Sequence, residues 1–91
     1  MKIQFTETAF TELQEIYAYI SENNQTAARA VIARIEHIVG RIGEFPEMAA
    51  PIDDSGVRIF PTPPFPYRIF YTVTQGGVII RNVRHAGRMR P

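Results

Sequence analysis

The chain has 91 residues, 45% of them hydrophobic and 21% charged, a formal net charge of +1 and no cysteine. These values describe one ordinary globular domain with a modest core, spanning residues 1–91, and exclude global disorder. Disulfides, thiolate catalysis and a cysteine-ligated zinc are excluded as well, and no apolar run approaches the ~18 residues of a membrane-spanning helix, so a cytoplasmic protein is expected.

Ile3 and Phe5 alternate with Lys2 and Gln4, which predicts a short half-buried strand. Thr6 can cap a helix that starts at Glu7, where a carboxylate suits the positive helix end. Phe10, Leu13, Ile16, Tyr17 and Ile20 then recur in steps of three and four as one apolar stripe. Ser21-Glu-Asn-Asn24 breaks that helix, and a second begins near Thr26 with Ala28, Val31, Ile32, Ile35, Ile38, Val39 and Ile42 inside. Gly43 reads as its C-terminal stop and Pro46 as its exit, so the two helices form a hairpin.

Glu47 to Gly56 reads as a loop and Val57-Arg-Ile-Phe60 as a strand. Pro61-Thr-Pro-Pro-Phe-Pro66 cannot donate a regular hydrogen-bond ladder and reads as a stiff connector or edge. Tyr67–Thr74 and Val78–His85 are strand-like, with Gly76-Gly77 suited to a primed hairpin turn between them. The expected fold is α+β, β-α-α-β-β-β, a helical hairpin on a small, mainly antiparallel sheet.

Charge divides unevenly along the chain. In residues 1–47, Lys2, Arg29, Arg34 and Arg41 stand against seven glutamates; in residues 48–91, six arginines stand against Asp53 and Asp54. A basic second half is suited to an anionic partner. Nine of the ten basic residues are arginine, which favours bidentate contact with carboxylate or phosphate and makes a poor general base. Arg58 and Arg68 fall out of phase with their apolar neighbours, so both are expected on the open face of the sheet. Arg81 shares parity with Ile79 and Val83, a costly place for a charge unless it is paired, with Glu12, Glu15 or Asp54 as possible partners. His85 shares the same parity and reads first as a packed residue, whereas Arg84 should point to the other face. His37 has no second histidine or cysteine near it, and no nucleophile motif or Gly-rich phosphate loop occurs.

This order of elements and these residues resemble the RelE/ParE superfamily of toxins from bacterial type II toxin–antitoxin systems. The resemblance lies in the first helix, Ala9-Phe-Thr-Glu-Leu13-Gln-Glu-Ile16-Tyr-Ala-Tyr19-Ile20, and in the second, from Ala27-Ala28 through Ile35-Glu-His-Ile38 to Gly43-Glu-Phe-Pro46. It continues in Val57-Arg58, in Pro66-Tyr67-Arg68-Ile69-Phe70-Tyr71-Thr-Val73 and in the closing Val83-Arg-His85-Ala-Gly-Arg88. Arg81-Asn82 departs from it, since an aliphatic residue followed by arginine is more usual there.

The His-x-x-Arg ending is more similar to the ParE branch. That resemblance implies a toxin that binds and poisons DNA gyrase, working by binding and without turnover, and neutralised by a cognate antitoxin, ParD-like or of another type II class. On this reading the target-binding residues are Arg84, Arg88 and Arg90, and Arg58, Arg68, Tyr17 and Tyr19 meet the antitoxin, which is expected to supply acidic residues. The alternative that the resemblance implies is a metal-free, ribosome-dependent mRNA endoribonuclease of the RelE type, with His85, Arg84, Arg88, Arg68 and Tyr71 as its site. Neither reading calls for a cofactor or metal, and a net charge of +1 gives little direct affinity for nucleic acid.

Overall fold

A computed structural model of the chain describes residues 1–87. The elements run β1 (Lys2–Phe5), α1 (Glu7–Ser21), α2 (Gln25–Glu44), β2 (Arg58–Thr62), β3 (Phe65–Thr74) and β4 (Gly77–His85). The strands form one sheet in the order β1-β4-β3-β2; β1 runs parallel to β4 and the other neighbours are antiparallel. The expected element order and layering are therefore found, with both helices packed on one face.

Each helix starts on a side-chain cap. Thr6 Oγ1 accepts from the Ala9 amide at 3.0 Å, and Asn24 Oδ1 accepts from the Ala27 amide at 2.9 Å, so each satisfies a donor that the first turn leaves without a partner. The core is formed by Ile35, Ile38, Val39 and Ile42 of α2 and Ala9 of α1, set against Ile69, Tyr71, Val78, Ile80 and Val83 of the sheet. Burying each large aliphatic side chain contributes roughly 1.5–3 kcal/mol, so α2 is the main anchor of the helical layer. Phe10, expected in the inner stripe, is 56% exposed. It lies about 100° around the helix from Ala9, and the small alanine is the residue that meets the sheet. No helix among the described residues is long and apolar enough to cross a membrane.

Three expected boundaries change. Gly43 is not the stop of α2, which continues to Glu44 and is capped by Phe45. A Cβ at Gly43 would lie 2.6 Å from Ile3 Cδ1, so this glycine lets α2 close onto β1. β2 takes in Pro61 and Thr62, which the sequence assigned to a stiff connector or edge, and β3 begins at Phe65, ahead of the expected Tyr67. Pro61 is tolerated because β2 is an edge strand, and Thr62 is fully buried with its hydroxyl 3.2 Å from the Tyr67 carbonyl.

The β3–β4 turn is Gln75-Gly76, and it is not of the primed type: among the described residues only Gly56 has positive φ. Thr74 closes the turn instead, its hydroxyl donating to the Gly77 carbonyl and accepting from the Gly77 amide, both at 3.1 Å. Gly77 serves the sheet, since a Cβ there would stand 2.2 Å from the Lys2 carbonyl oxygen of β1.

Candidate functional site

The facing of the arginines is decided by one bulge. Ile69 pairs with Val83 and Phe70 with Asn82, but the next rungs are Tyr71 with Ile80 and Thr72 with Ile79, which leaves Arg81 without a partner. An extra residue reverses the alternation, so Val78 and Ile80 are buried before it and Val83 after it. Arg81 therefore does not share a face with Val83. It is exposed, and its Nη1 donates to Thr72 Oγ1 at 3.5 Å instead of pairing with Glu12, Glu15 or Asp54.

The same alternation separates two arginines expected together. Arg58 pairs with Tyr71, whose side chain is buried under the helices, so Arg58 faces that side. Its Nη1 donates to the Ala49 carbonyl, which fastens the loop before β2. Arg68 stands on the uncovered face directly across from Arg84. Beside this rung lies Phe70, with the Arg84 guanidinium 5.8 Å from its ring centre. The four strands hold Lys2, Arg58, Arg68, Arg81, Arg84 and His85 and not one aspartate or glutamate.

Beyond Phe5 the sheet has no further β1 residue to pair with β4, and α1 closes that edge. The Thr6 amide donates to the Ile80 carbonyl at 3.0 Å, and the Thr6 hydroxyl donates to the Arg81 carbonyl at 2.9 Å. Further along, Glu12 Oε1 accepts from the Val83 amide at 2.9 Å and from Asn82 Nδ2 at 3.3 Å, while Oε2 lies 3.4 Å from Arg84 Nε. A cleft of about 470 Å³ opens here, lined by Glu12, Glu15 and Ile16 of α1 and by Arg68, Arg84 and His85.

His85 is half-buried and pairs with Tyr67, its ring edge-on to the tyrosine at 5.3 Å. Its Nδ1 accepts from the Gly87 amide at 3.2 Å. Tyr71 is remote from the cleft. It is fully buried and donates its hydroxyl to the Pro46 carbonyl at 2.9 Å. Burial pushes its phenol pKa up, against smaller opposing effects of the Ala49 backbone and Arg58.

Tyr17 and Tyr19 lie on opposite flanks of α1, about 200° apart around the helix. Tyr17 faces α2: its hydroxyl accepts from Gln25 Nε2 at 3.4 Å, and that bond, with Arg29 nearby, lowers its pKa. Tyr19 is 62% exposed on the flank that also carries Glu12 and Glu15. Of the residues singled out in the sequence, Arg68, Arg84 and His85 meet at one cleft; Arg58, Tyr71 and Tyr17 lie elsewhere, and Arg88 and Arg90 fall outside the described residues. Glu12 was legible only as a possible partner for Arg81, although a carboxylate flanking the Ala9–Ile16 stripe is positioned to reach a neighbouring strand. Among the described residues no cluster of three metal-ligating side chains occurs.

The family model for the ParE toxin of the type II toxin–antitoxin system, parDE, matches residues 3–90. A curated protein of Sinorhizobium fredii named "Putative toxin Y4kP" is 33% identical over 90 residues, covering 99% of this chain and 93% of that protein. The solved chromosomal ParDE TA system from P. aeruginosa contains a chain that superposes with a TM-score of 0.80 at 20% identity, covering 93% of this chain and 95% of that one. The second similarity concerns the fold.

Proposed function

The chain belongs to the ParE toxin family of type II toxin–antitoxin systems, and on that premise we propose that it inhibits DNA gyrase by binding and is held inactive by a cognate antitoxin. The observation that carries the reading is the open sheet face, where Arg68 and Arg84 share a rung beside Phe70, Arg81 is exposed near Thr72, and no strand holds an acidic residue. Such a surface suits recognition of a partner by charge and aromatic contact. It is less suited to turnover. The Tyr71 hydroxyl is buried against Pro46, so one of the five residues named for RNA cleavage is committed to the fold.

Arg84, with Arg88 and Arg90 beyond it, remains the proposed contact with the target, and Arg68 a proposed contact with the antitoxin. Because Arg68 and Arg84 share one rung, an antitoxin that covers the first also shields the second, and neutralisation follows by occlusion. Tyr19, exposed on the flank beside the cleft, fits that contact better than Tyr17, and Arg58 contributes by holding its loop. The place of action is the cytoplasm, where gyrase works.

The test is a supercoiling and cleavage-complex assay with antitoxin-free protein. Dose-dependent inhibition with trapped cleaved DNA is the expected result. Folded protein that leaves gyrase untouched while cutting ribosome-bound mRNA would move the assignment to the RelE type, with His85, Arg68 and Arg84 as the cleft residues to change first.

A further inference from the structure

Arg68 and Arg84 stand directly opposite each other on neighbouring antiparallel strands. At such a pair the side chains begin only ~5 Å apart, and like charges in that position destabilise the sheet. The Arg68 side chain has no hydrogen bond or ion pair among the described residues, while Arg84 has one, to Glu12 at the strand edge. A repulsive pair whose one compensating carboxylate among the described residues is drawn from the first helix is the arrangement of a site suited to a second anion.

We propose that Arg68 and Arg84 form a docking fork for the carboxylates of an acidic peptide segment, with Phe70 as the apolar floor between them and Glu12 as a resident competitor that holds Arg84 until the peptide arrives. The proposal deepens the antitoxin reading and rests on it for the biological source of the peptide. Two observations favour a peptide over a nucleic acid. Glu12 already displays a carboxylate bound at this edge by a guanidinium, a backbone amide and a side-chain amide. The rim of the same cleft carries Glu12 and Glu15, which repel a continuous phosphate backbone but leave discrete carboxylates room to reach the arginines. The half-buried Phe70 and Ile59, paired across β2 and β3 on the same face, offer contact to apolar residues interspersed with the acidic ones.

The fork is tested with the full chain by titrating two probes while following backbone amide and arginine side-chain resonances. One probe is a short blocked peptide alternating glutamate and leucine; the other is a thymidine oligonucleotide of equal net charge. The peptide is expected to shift the signals of Arg68, Phe70 and Arg84, more weakly as salt rises. Arg68→Gln is expected to weaken it. Glu12→Gln keeps the acceptor for Val83 but removes the competing charge, so it is expected to tighten the peptide by up to about fivefold, the range of an exposed ion pair. Shifts confined to other surfaces, no shift in a well-dispersed spectrum, tighter binding of the oligonucleotide at the same residues, or a Glu12→Gln protein that binds no better would each overturn the fork. If the Arg68→Gln, Arg84→Gln protein still binds its antitoxin undiminished, the fork is removed and the antitoxin reading stands. A folded wild-type chain that binds no antitoxin removes the reading itself.

Discussion

Replacing Glu12 separates its charge from its acceptor geometry. Glu12→Gln retains an oxygen for the Val83 amide, 2.9 Å away, and loses only the contact with Arg84, whose side chain is 56% exposed. An exposed ion pair contributes about 0.2–1 kcal/mol, so Glu12→Gln should cost about 0.5 kcal/mol. Glu12→Ala also leaves the Val83 amide with no acceptor in a partly buried position, which adds about 1–2 kcal/mol. The alanine variant should therefore lose about 2 kcal/mol in total, and at roughly 4–8 °C per kcal/mol for a domain of this size its Tm should fall by about 8–16 °C. Urea unfolding of both variants gives the two differences, and hydrogen exchange at Val83 reports the acceptor directly. Val83 should stay protected in Glu12→Gln and exchange faster in Glu12→Ala. If the two variants lose equal stability, or if Glu12→Ala loses under about 0.5 kcal/mol, Glu12 does not hold the edge of β4 as argued.

Gly77→Ala places a methyl against the Lys2 backbone and should cost about 3 kcal/mol, the upper range for overpacking, whereas Gly76→Ala meets no atom within 4 Å and should be near neutral; paired thermal melts check the contrast. Arg68→Thr relieves the repulsion across the rung and should raise stability by about 0.5 kcal/mol while weakening antitoxin binding, a trade measurable by urea midpoint and calorimetry; equal or lower stability would count against the strained pair. For Tyr71 the folded-state pKa is raised above the ordinary phenol value, so its contribution is fully present below about pH 10 and is lost as pH rises through the folded value. Urea midpoints of the wild type should therefore fall more steeply above about pH 10 than those of Tyr71→Phe, which at neutral pH should cost about 1 kcal/mol for the lost bond to Pro46; parallel pH profiles would refute this.

Local signals carried most of the fold. The Thr6 cap, the α1 and α2 stripes and the three closing strands are each written within a few turns or rungs of sequence, and they recur in the structure with small shifts of boundary. What was hidden is held between distant segments. Arg81 looked like a charge on a buried face because period-two counting assumes an unbroken strand, and the bulge that exposes it is set by the register of β3. Arg58 was counted onto the open face, yet its partner Tyr71 faces the helices and takes Arg58 with it. Gly43 and Gly77 read as a helix stop and a turn residue because glycine commonly serves there; both are instead close-approach points against β1. The candidate site followed the same division. Arg68 was legible as an open-face residue, but its pairing with Arg84 is set by the β3–β4 register, and Glu12 reaches Asn82 and Val83 through bonds that span 70 and 71 residues, a separation that no local pattern records.

The parallel pairing of β1 with β4 also orders events in time. The first strand to be synthesised finds its neighbour only in the last, and Thr6 reaches Arg81 across 75 residues. Pairings of such separation close late and slowly during folding, because the intervening chain must be ordered before they contribute. On a ribosome, the helical hairpin can therefore collapse while the arginine rung does not yet exist, and an interrupted message yields a helix pair without the surface proposed to do harm. The arginine rung, which joins β3 to β4, is thus among the last surfaces of the described chain to form.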